Sequence, residues 1–189
     1  MSIIVKAPEK SVFPQLPAGN YQGVCYAIKD IGTHSFEYQG ETKRAHKVVL
    51  LYEVDELIQI EGTYKDKRYV VSEELTLSLH EKAKLRQRIE GWFGRELSEE
   101  ELDGFDLESL VGRNGMLNII SSKKGYPIID SVSQLGKKMN QMIPENTQAP
   151  AWIEKKWQES EEYQALQNPS ADIDPDLQAA IKLFSEESK

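Results

Sequence analysis

Residues 68–94 read RYVVSEELTLSLHEKAKLRQRIEGWFG, and the spacing of the apolar residues changes along this stretch. The first part alternates with the two-residue period of a strand, predicted from about Arg68 to Leu77. The second part has the three- and four-residue spacing of a helix, with Leu85, Ile89 and Trp92 on its buried side. Residues 78–81 have the pattern of a capping box at a helix start, and Gly91 and Gly94 are predicted to end the helix. A strand followed by a helix is therefore predicted.

Two further strands are predicted before this stretch. The first runs from Tyr21 to about Asp30, with alternate residues 24, 26 and 28 on one face, and Gly23 suggests a bend or bulge. The second runs from about Arg44 to Val54 and is apolar on both faces, which predicts burial on both sides. Residues 34–38 between them are a hairpin extension or a long loop.

After the helix, the sequence predicts two short helical turns and a final hairpin. Ser98 and Glu101 form a second capping-box pattern, and Asp106 begins another turn that Gly112 ends. The fourth strand is predicted over residues 114–120 and the fifth over residues 126–132, with a turn between them.

The fold class is therefore mainly β with helices. Three strands, a helix and two strands is the order found in the OB-fold, a five-stranded barrel that binds oligonucleotides or oligosaccharides. We expect this OB-fold-like barrel to occupy residues 20–135, after an extended arm over residues 1–19. Residues 136–150 are predicted to be a linker, and residues 151–189 a helical, partly disordered, acidic C-terminal extension.

Composition restricts the possible classes of protein. The chain of 189 residues has a net charge of −8 and a single cysteine, Cys25, which excludes an internal disulfide and a cysteine-cluster metal site. It has neither an apolar run of the ~18 residues that span a bilayer nor a signal peptide, so we expect a soluble cytoplasmic protein without a membrane partner. Residues 1–139 have 19 basic and 21 acidic side chains, whereas residues 140–189 have 4 and 10. The acidity is concentrated in the C-terminal part and does not exclude a nucleic-acid ligand.

Several segments resemble a family of small phage and prophage proteins. They are LPAGNYQGVCYAIKDIGT at 16–33, LTLSLHEKAKLR at 75–86, WFGR at 92–95, GFDL at 104–107 and LVG at 110–112. Members of this family are similar to single-stranded DNA-binding proteins encoded near replication and recombination functions. The resemblance covers roughly residues 16–133, and implies a single-stranded DNA ligand and a location in the bacterial host cytoplasm.

Single-strand binding needs cations that contact phosphates and aromatic rings on which bases stack. Three segments combine the two residue types and, in this fold, are expected to meet at one rim. The predicted nucleic-acid-binding residues are Phe36, Tyr38, Lys43, Arg44 and Lys47; Tyr64, Lys65, Lys67, Arg68 and Tyr69; and Lys123, Lys124 and Tyr126. Solubilising lysines and a core tyrosine are the alternative interpretation.

The predicted helix that follows the third strand has a second basic cluster, made of Lys82, Lys84, Arg86 and Arg88. We interpret this cluster as a solvated face rather than a second phosphate contact.

No catalytic or metal site is predicted. His34, His46 and His80 lie on different elements without metal-ligand spacing. Cys25 has no neighbouring base in the sequence, so it is predicted to be a packing residue. Neither a phosphate-binding loop nor a nucleophile elbow is present. We therefore expect a protein that is not an enzyme and needs no cofactor.

The C-terminal extension is predicted to recruit replication or recombination proteins through Trp152, Trp157 and Phe184. The alternative is a solubilising tail whose aromatic helix packs on its own barrel or on a second copy in a homo-oligomer. The alternative function for the whole chain is a non-catalytic interaction module that binds a replisome component or a host factor.

Overall fold

The computed structural model describes residues 14–167. The strands are β1 (Gly19–Tyr38), β2 (Glu41–Leu57), β3 (Arg68–Thr76), β4 (Asn114–Ser121) and β5 (Pro127–Gln134). The helices are α1 (Lys84–Phe93), α2 (Glu99–Asp103), α3 (Ala151–Gln158) and α4 (Glu161–Gln167), with a 3-10 helix at Leu107–Leu110. The predicted mainly β class, the five strands and their order with α1 are confirmed.

The five strands form one antiparallel sheet with the spatial order β3-β2-β1-β4-β5. Strands β3 and β5 are therefore the two edges, and no strand ladder joins them within residues 14–167. The sheet is open in this sense, and closure into a hydrogen-bonded barrel is not seen.

Helix α1 lies between the two edge strands and links them through the buried side chain of Arg88. The guanidinium Nε and Nη2 donate to the two carboxylate oxygens of Glu73 on β3, at 2.7 and 2.6 Å. Nη1 and Nη2 also donate to the carbonyl oxygens of Asp130 and Ile129 on β5, at 2.9 and 2.8 Å. The prediction of a solvated basic face is wrong for Arg88, because this side chain satisfies polar groups of both edges.

The rest of the basic cluster on this helix is closer to expectation. Lys82 and Lys84 are exposed, and the half-buried Arg86 pairs with Glu90 one turn later, at 2.8 Å. The predicted buried stripe of α1 is confirmed, since Leu85, Ile89 and Trp92 belong to the main core. The predicted end at Gly94 is confirmed, whereas the prediction that Gly91 ends the helix is wrong, because α1 continues through it to Phe93.

The sheet has an apolar cluster on each face. The main core lies between one face and α1, where the rings of Tyr52 and Trp92 pack with centroids 5.5 Å apart. A second cluster on the other face includes Val49 and Leu51 of β2 and is covered by Ile153 of α3. The predicted burial of β2 on both sides is therefore confirmed.

Two register shifts in β1 were not predicted. They lie between Cys25 and Ala27 and between Asp30 and Gly32. The first shift places Tyr26 in the second cluster and Ile28 in the main core, so the single predicted face for residues 24, 26 and 28 is wrong. Gly23 pairs regularly and permits close approach instead, because a Cβ there would lie 2.6 Å from Leu117 Cδ1.

One of the two predicted capping boxes forms. Ser98 accepts from the amide of Glu101 at 3.3 Å, and the Glu101 carboxylate accepts from the amide of Ser98 at 2.8 Å. The other is wrong, because α1 begins at Lys84 and the Ser78 hydroxyl accepts from the amide of His80 at 3.2 Å instead.

The segment predicted to be a linker is hydrogen-bonded to the sheet. The amide of Met142 donates to the side chain of Asn114, at 2.7 Å. The fully buried carboxylate of Glu53 accepts from the amide of Glu145 at 2.9 Å and from the side-chain amide of Asn146 at 2.8 Å. These contacts direct the chain across the sheet to α3.

No helix among residues 14–167 is long and apolar enough to span a membrane.

Candidate nucleic-acid interface

The β1–β2 hairpin projects beyond the rest of the sheet. β4 pairs with β1 only over Gly19–Val24, and β3 pairs with β2 only from Lys47 onward. Residues 34–45 are therefore a two-stranded ribbon. Residues 34–38 belong to it, so of the two alternatives for this stretch the hairpin extension is the one that forms.

One face of the ribbon carries the predicted aromatic residues. Phe36 pairs with Lys43 in the strand register, and Tyr38 follows on the same face because side chains alternate along a strand. The side chains of Phe36 and Tyr38 are 39% and 51% exposed. Lys43 Nζ lies 4.6 Å from the ring centroid of Tyr38, and Lys47 Nζ lies 5.4 Å from that of Phe36. We call Phe36, Tyr38 and Lys43 the aromatic face.

The opposite face of the ribbon is held by α4. Ser35 and Arg44, which pair with each other, both donate to the carboxylate of Glu161, with O···O and Nε···O distances of 3.0 Å. At the ribbon's base, the backbone amide and hydroxyl of Thr33 donate to Glu162 at 2.7 and 2.6 Å. An isolated two-stranded hairpin is marginally stable, so α4 supports the conformation that displays the aromatic face.

His46 connects the ribbon's base to both strands and α4. Its Nε2 lies 2.7 Å from Asp30 Oδ1, and its Nδ1 lies 3.7 Å from Glu162 Oε1. The hydrogen bond with Asp30 raises the pKa of His46 against the opposing effect of burial. Burial by itself raises the pKa of the Glu162 carboxyl, but the hydrogen bonds from Thr33 outweigh it and leave the pKa lowered.

The β2–β3 connection places its five predicted residues in different environments. Tyr64 and Lys67 are exposed, and Lys65 is paired with Glu61. Arg68 points to the C-terminal segment, where it pairs with the buried Glu53 at 3.3 Å and donates to the carbonyl oxygen of Ile143 at 2.8 Å. Tyr69 is 7% exposed and packs in the main core, so its ring does not reach the surface.

The β4–β5 turn is open to solvent. Lys123, Lys124 and Tyr126 are all exposed, Tyr126 by 58%. This turn combines cations and a ring as predicted, but its single aromatic residue offers one stacking surface.

The three predicted segments do not meet at one rim. Gly23 of β1 pairs with Val54 of β2, and Gly19 pairs with Ile119 of β4. The β2–β3 connection and the β4–β5 turn therefore lie at the end of the sheet where β1 begins, and the ribbon lies at the end where β1 finishes. At ~3.3 Å per residue, about 40 Å of strand separates Gly23 from Phe36.

Half of the predicted cations are neutralised by carboxylates of the same chain. Arg44, Lys47, Lys65 and Arg68 are paired with Glu161, Glu74, Glu61 and Glu53. Lys43, Lys67, Lys123 and Lys124 have no ion pair among the described residues. These four lysines are the predicted cations that are available to phosphates.

The predicted partner-binding tryptophans differ in accessibility. Trp157 packs edge-on against Tyr163 of α4, with centroids 6.4 Å apart. Trp152 is 40% exposed and lines a cavity together with Tyr64, a neighbour that sequence spacing could not reveal. The third predicted residue, Phe184, lies outside the described residues.

Glu161 and Glu162 are the site residues that sequence reasoning missed. Acidic residues are common in the first turn of a helix because they interact favourably with the helix dipole, so their presence at residues 161 and 162 does not indicate a distant contact. Their contacts with the ribbon depend on a separation of more than 100 residues, and no local signal indicates such a contact.

The described part of the chain has no group of three or more His, Cys, Asp or Glu side chains arranged to hold a metal ion. Comparison of the chain with protein-family models, curated proteins and solved structures finds no match.

Proposed function

We propose that the chain is a single-stranded DNA-binding protein of phage or prophage origin that acts in replication or recombination. The observation that carries this proposal is the aromatic face of the ribbon. Its two exposed rings lie on one side of a projecting hairpin together with Lys43, which has no ion pair within residues 14–167. This combination matches what sequence-tolerant single-strand binding requires, namely stacking surfaces beside a phosphate-binding cation.

The spacing of the rings suits a single strand. Phe36 and Tyr38 are two residues apart on one strand, which corresponds to about 6.8 Å. That is twice the ~3.4 Å rise per nucleotide of a stacked strand, so each ring has room for a base. Stacking of a base on an aromatic side chain contributes ~1–3 kcal/mol to the binding free energy. Two rings therefore contribute to affinity for any DNA sequence, because every base can stack.

The strand order is also consistent with an OB-fold-like barrel. The order β3-β2-β1-β4-β5 is that of such a barrel opened between β3 and β5, and α1 with Arg88 lies in that gap. In this proposal the helix completes the barrel in place of a β3–β5 ladder.

The test is fluorescence anisotropy of a labelled oligonucleotide of ~30 nucleotides, longer than the 4–16 nucleotides that one OB-fold covers. We expect the wild-type chain to bind at low salt. The double variant Phe36→Ala/Tyr38→Ala is expected to bind at least tenfold more weakly, because it loses two stacking surfaces. The matched control Val111→Ala truncates a 40% exposed apolar side chain outside the predicted binding segments and is expected to change affinity less than twofold. Absence of wild-type binding, or equal affinity of the double variant, would overturn the proposal.

A second candidate function, a protein-interaction module, is favoured by the β4–β5 hairpin. Ile120 and Ile128 face each other across the two strands and are each 41% exposed, next to the exposed Tyr126. Paired aliphatic side chains on a surface are typical of protein contacts rather than of phosphate contacts. A replication or host protein that binds the wild type and the ribbon variant, but not Ile120→Ser/Ile128→Ser, would favour this function.

A further inference from the structure

A cavity of about 430 Å³ lies between the β2–β3 connection and the start of α3. Its lining residues are Leu51, Tyr64, Val70, Ser72, Pro150 and Trp152. Its size falls within the ~300–1,000 Å³ of ligand pockets. No residue of the cavity belongs to the aromatic face, so it is a separate feature of the molecule.

Local structure fixes the two aromatic residues at the cavity. Tyr64 lies in a turn in which the amide of Lys67 donates to the carbonyl oxygen of Tyr64, at 3.1 Å. Pro150 precedes α3 and places Trp152 in its first turn, and the next residue, Ile153, is buried in the second cluster. The indole is thus held by an anchored helix.

The chemistry of the lining suits a flat ring. Tyr64 and Trp152 are 43% and 40% exposed, so both rings are accessible from solvent. Leu51 and Val70 supply aliphatic contacts, and the hydroxyl of Ser72 is the side-chain hydrogen-bonding group on the strands that line the cavity. Aromatic and aliphatic walls with few polar groups are typical of sites that hold a heterocycle by stacking.

The two elements that carry Tyr64 and Trp152 also carry positive charge, although the lysines concerned are not among the lining residues of the cavity. Lys67 follows Tyr64 by three residues and Lys155 follows Trp152 by three, and neither lysine has an ion pair among the described residues. Of the acids in the same two elements, Glu61 is paired with Lys65 and Glu154 accepts from Gln158. Asp66 reduces the positive field of the turn without cancelling both lysines.

We propose that this cavity is a base-binding subsite for single-stranded DNA, in which a nucleobase contacts Tyr64 and Trp152 while Lys67 and Lys155 bind the adjacent phosphates. The inference rests on the proposed function and extends it, because it makes α3 part of the DNA-binding surface. The ribbon and the cavity then contact different nucleotides of one strand.

The test uses the full chain and a labelled oligothymidine of ~30 nucleotides at low salt. Trp152→Ala and Tyr64→Ala are each expected to weaken binding at least fivefold, the lower end of one lost stacking contact. Trp152→Phe keeps an aromatic ring and is expected to stay within twofold of wild type. Ile143→Ala, an 80% exposed residue of the same C-terminal segment, is the matched control and is expected to have no effect.

The outcomes separate this inference from the proposed function. Failure of the wild type to bind would overturn both. Wild-type binding that weakens in Phe36→Ala/Tyr38→Ala, but not in Trp152→Ala or Tyr64→Ala, would overturn the cavity alone. An effect of Trp152→Ala that Trp152→Phe does not restore, with Tyr64→Ala unchanged, would assign Trp152 a packing role and also overturn the inference.

Discussion

At the scale of single residues, Arg88 and Cys25 show how burial determines what a reactive or charged group does. Arg88 is buried, and its side-chain hydrogen bonds all go to acceptors on the two edge strands. Cys25 is fully buried, and burial raises the pKa of its thiol to about 12. The thiol therefore stays protonated at neutral pH and is a poor nucleophile.

The first prediction concerns Arg88. Arg88→Ala removes the partner of Glu73, whose side chain is 11% exposed, and we expect a loss of ~3–5 kcal/mol in the free energy of unfolding, as for a broken buried pair. Urea denaturation followed by circular dichroism measures this loss. The double variant Arg88→Met/Glu73→Met is expected to be more stable than Arg88→Ala, because it leaves no unpaired charge. A loss below 1 kcal/mol for Arg88→Ala would show that the edges are held by other contacts.

At the scale of elements, the ribbon and α4 depend on each other. Within residues 14–167 no other strand pairs with the ribbon, and the short α4 is bound to it through Glu161 and Glu162. The C-terminal segment reaches this position because Glu53 binds it on the way.

The second prediction concerns His46 and pH. Its pKa is raised in the folded state, so its contribution to stability is fully present below the ordinary value of ~6.5 and is lost as pH rises through the folded-state pKa. The lowered pKa of Glu162 acts in the acid range and does not interfere. We expect the melting temperature of the wild type to fall between pH 6 and pH 8 by more than that of His46→Asn. Equal falls in the two proteins would contradict this assignment.

The third prediction concerns the anchor at Glu53. Glu53→Gln replaces a charged acceptor by a weaker one and introduces an amide donor opposite the donor groups of residues 145 and 146. We expect faster hydrogen exchange at the backbone amides of Glu145 and Asn146, with little change in β4. Unchanged exchange at both amides would mean that other contacts fix the segment.

The sequence predicted the elements better than their placement. Alternation in residues 68–77 and the stripe of Leu85, Ile89 and Trp92 are local signals, so the sequence is sufficient to predict β3 and α1. The register shifts in β1 depend on how a long strand coils around the core, and alternation by itself does not show them. The Tyr64–Trp152 cavity and the α4–ribbon contacts join residues far apart in the chain, which no local pattern reveals.

At the scale of the whole molecule, the net charge limits the electrostatic attraction between the protein and the proposed DNA ligand. The net charge is −8, and half of the cations predicted to bind DNA are already paired with carboxylates. If the chain binds single-stranded DNA as proposed, binding must depend on stacking and on a few lysines that have no ion pair within residues 14–167, rather than on a continuous basic groove.

The fourth prediction is a shallow salt dependence. If Lys43, Lys67 and Lys155 each contact one phosphate, the slope of log K against log salt is expected to be about −2, at roughly −0.7 per contact for a single strand. Anisotropy titrations at a series of salt concentrations measure the slope. Lys43→Gln is expected to reduce the magnitude of the slope by about 0.7. Lys82→Gln, which changes an exposed lysine before α1, is the control and is expected to leave the slope unchanged. A slope steeper than about −5 would indicate a basic surface other than the one proposed.

The most direct test of the central claim is ultraviolet cross-linking of oligothymidine to the wild-type chain, followed by mass spectrometry of the linked peptides. Cross-linking requires a base in contact with a side chain, so it reports both binding and location. We expect linked residues at Phe36 and Tyr38 on the ribbon, with any second group at the cavity of Tyr64 and Trp152. No cross-linked peptide, or cross-links confined to the β4–β5 hairpin, would contradict single-strand binding by the ribbon.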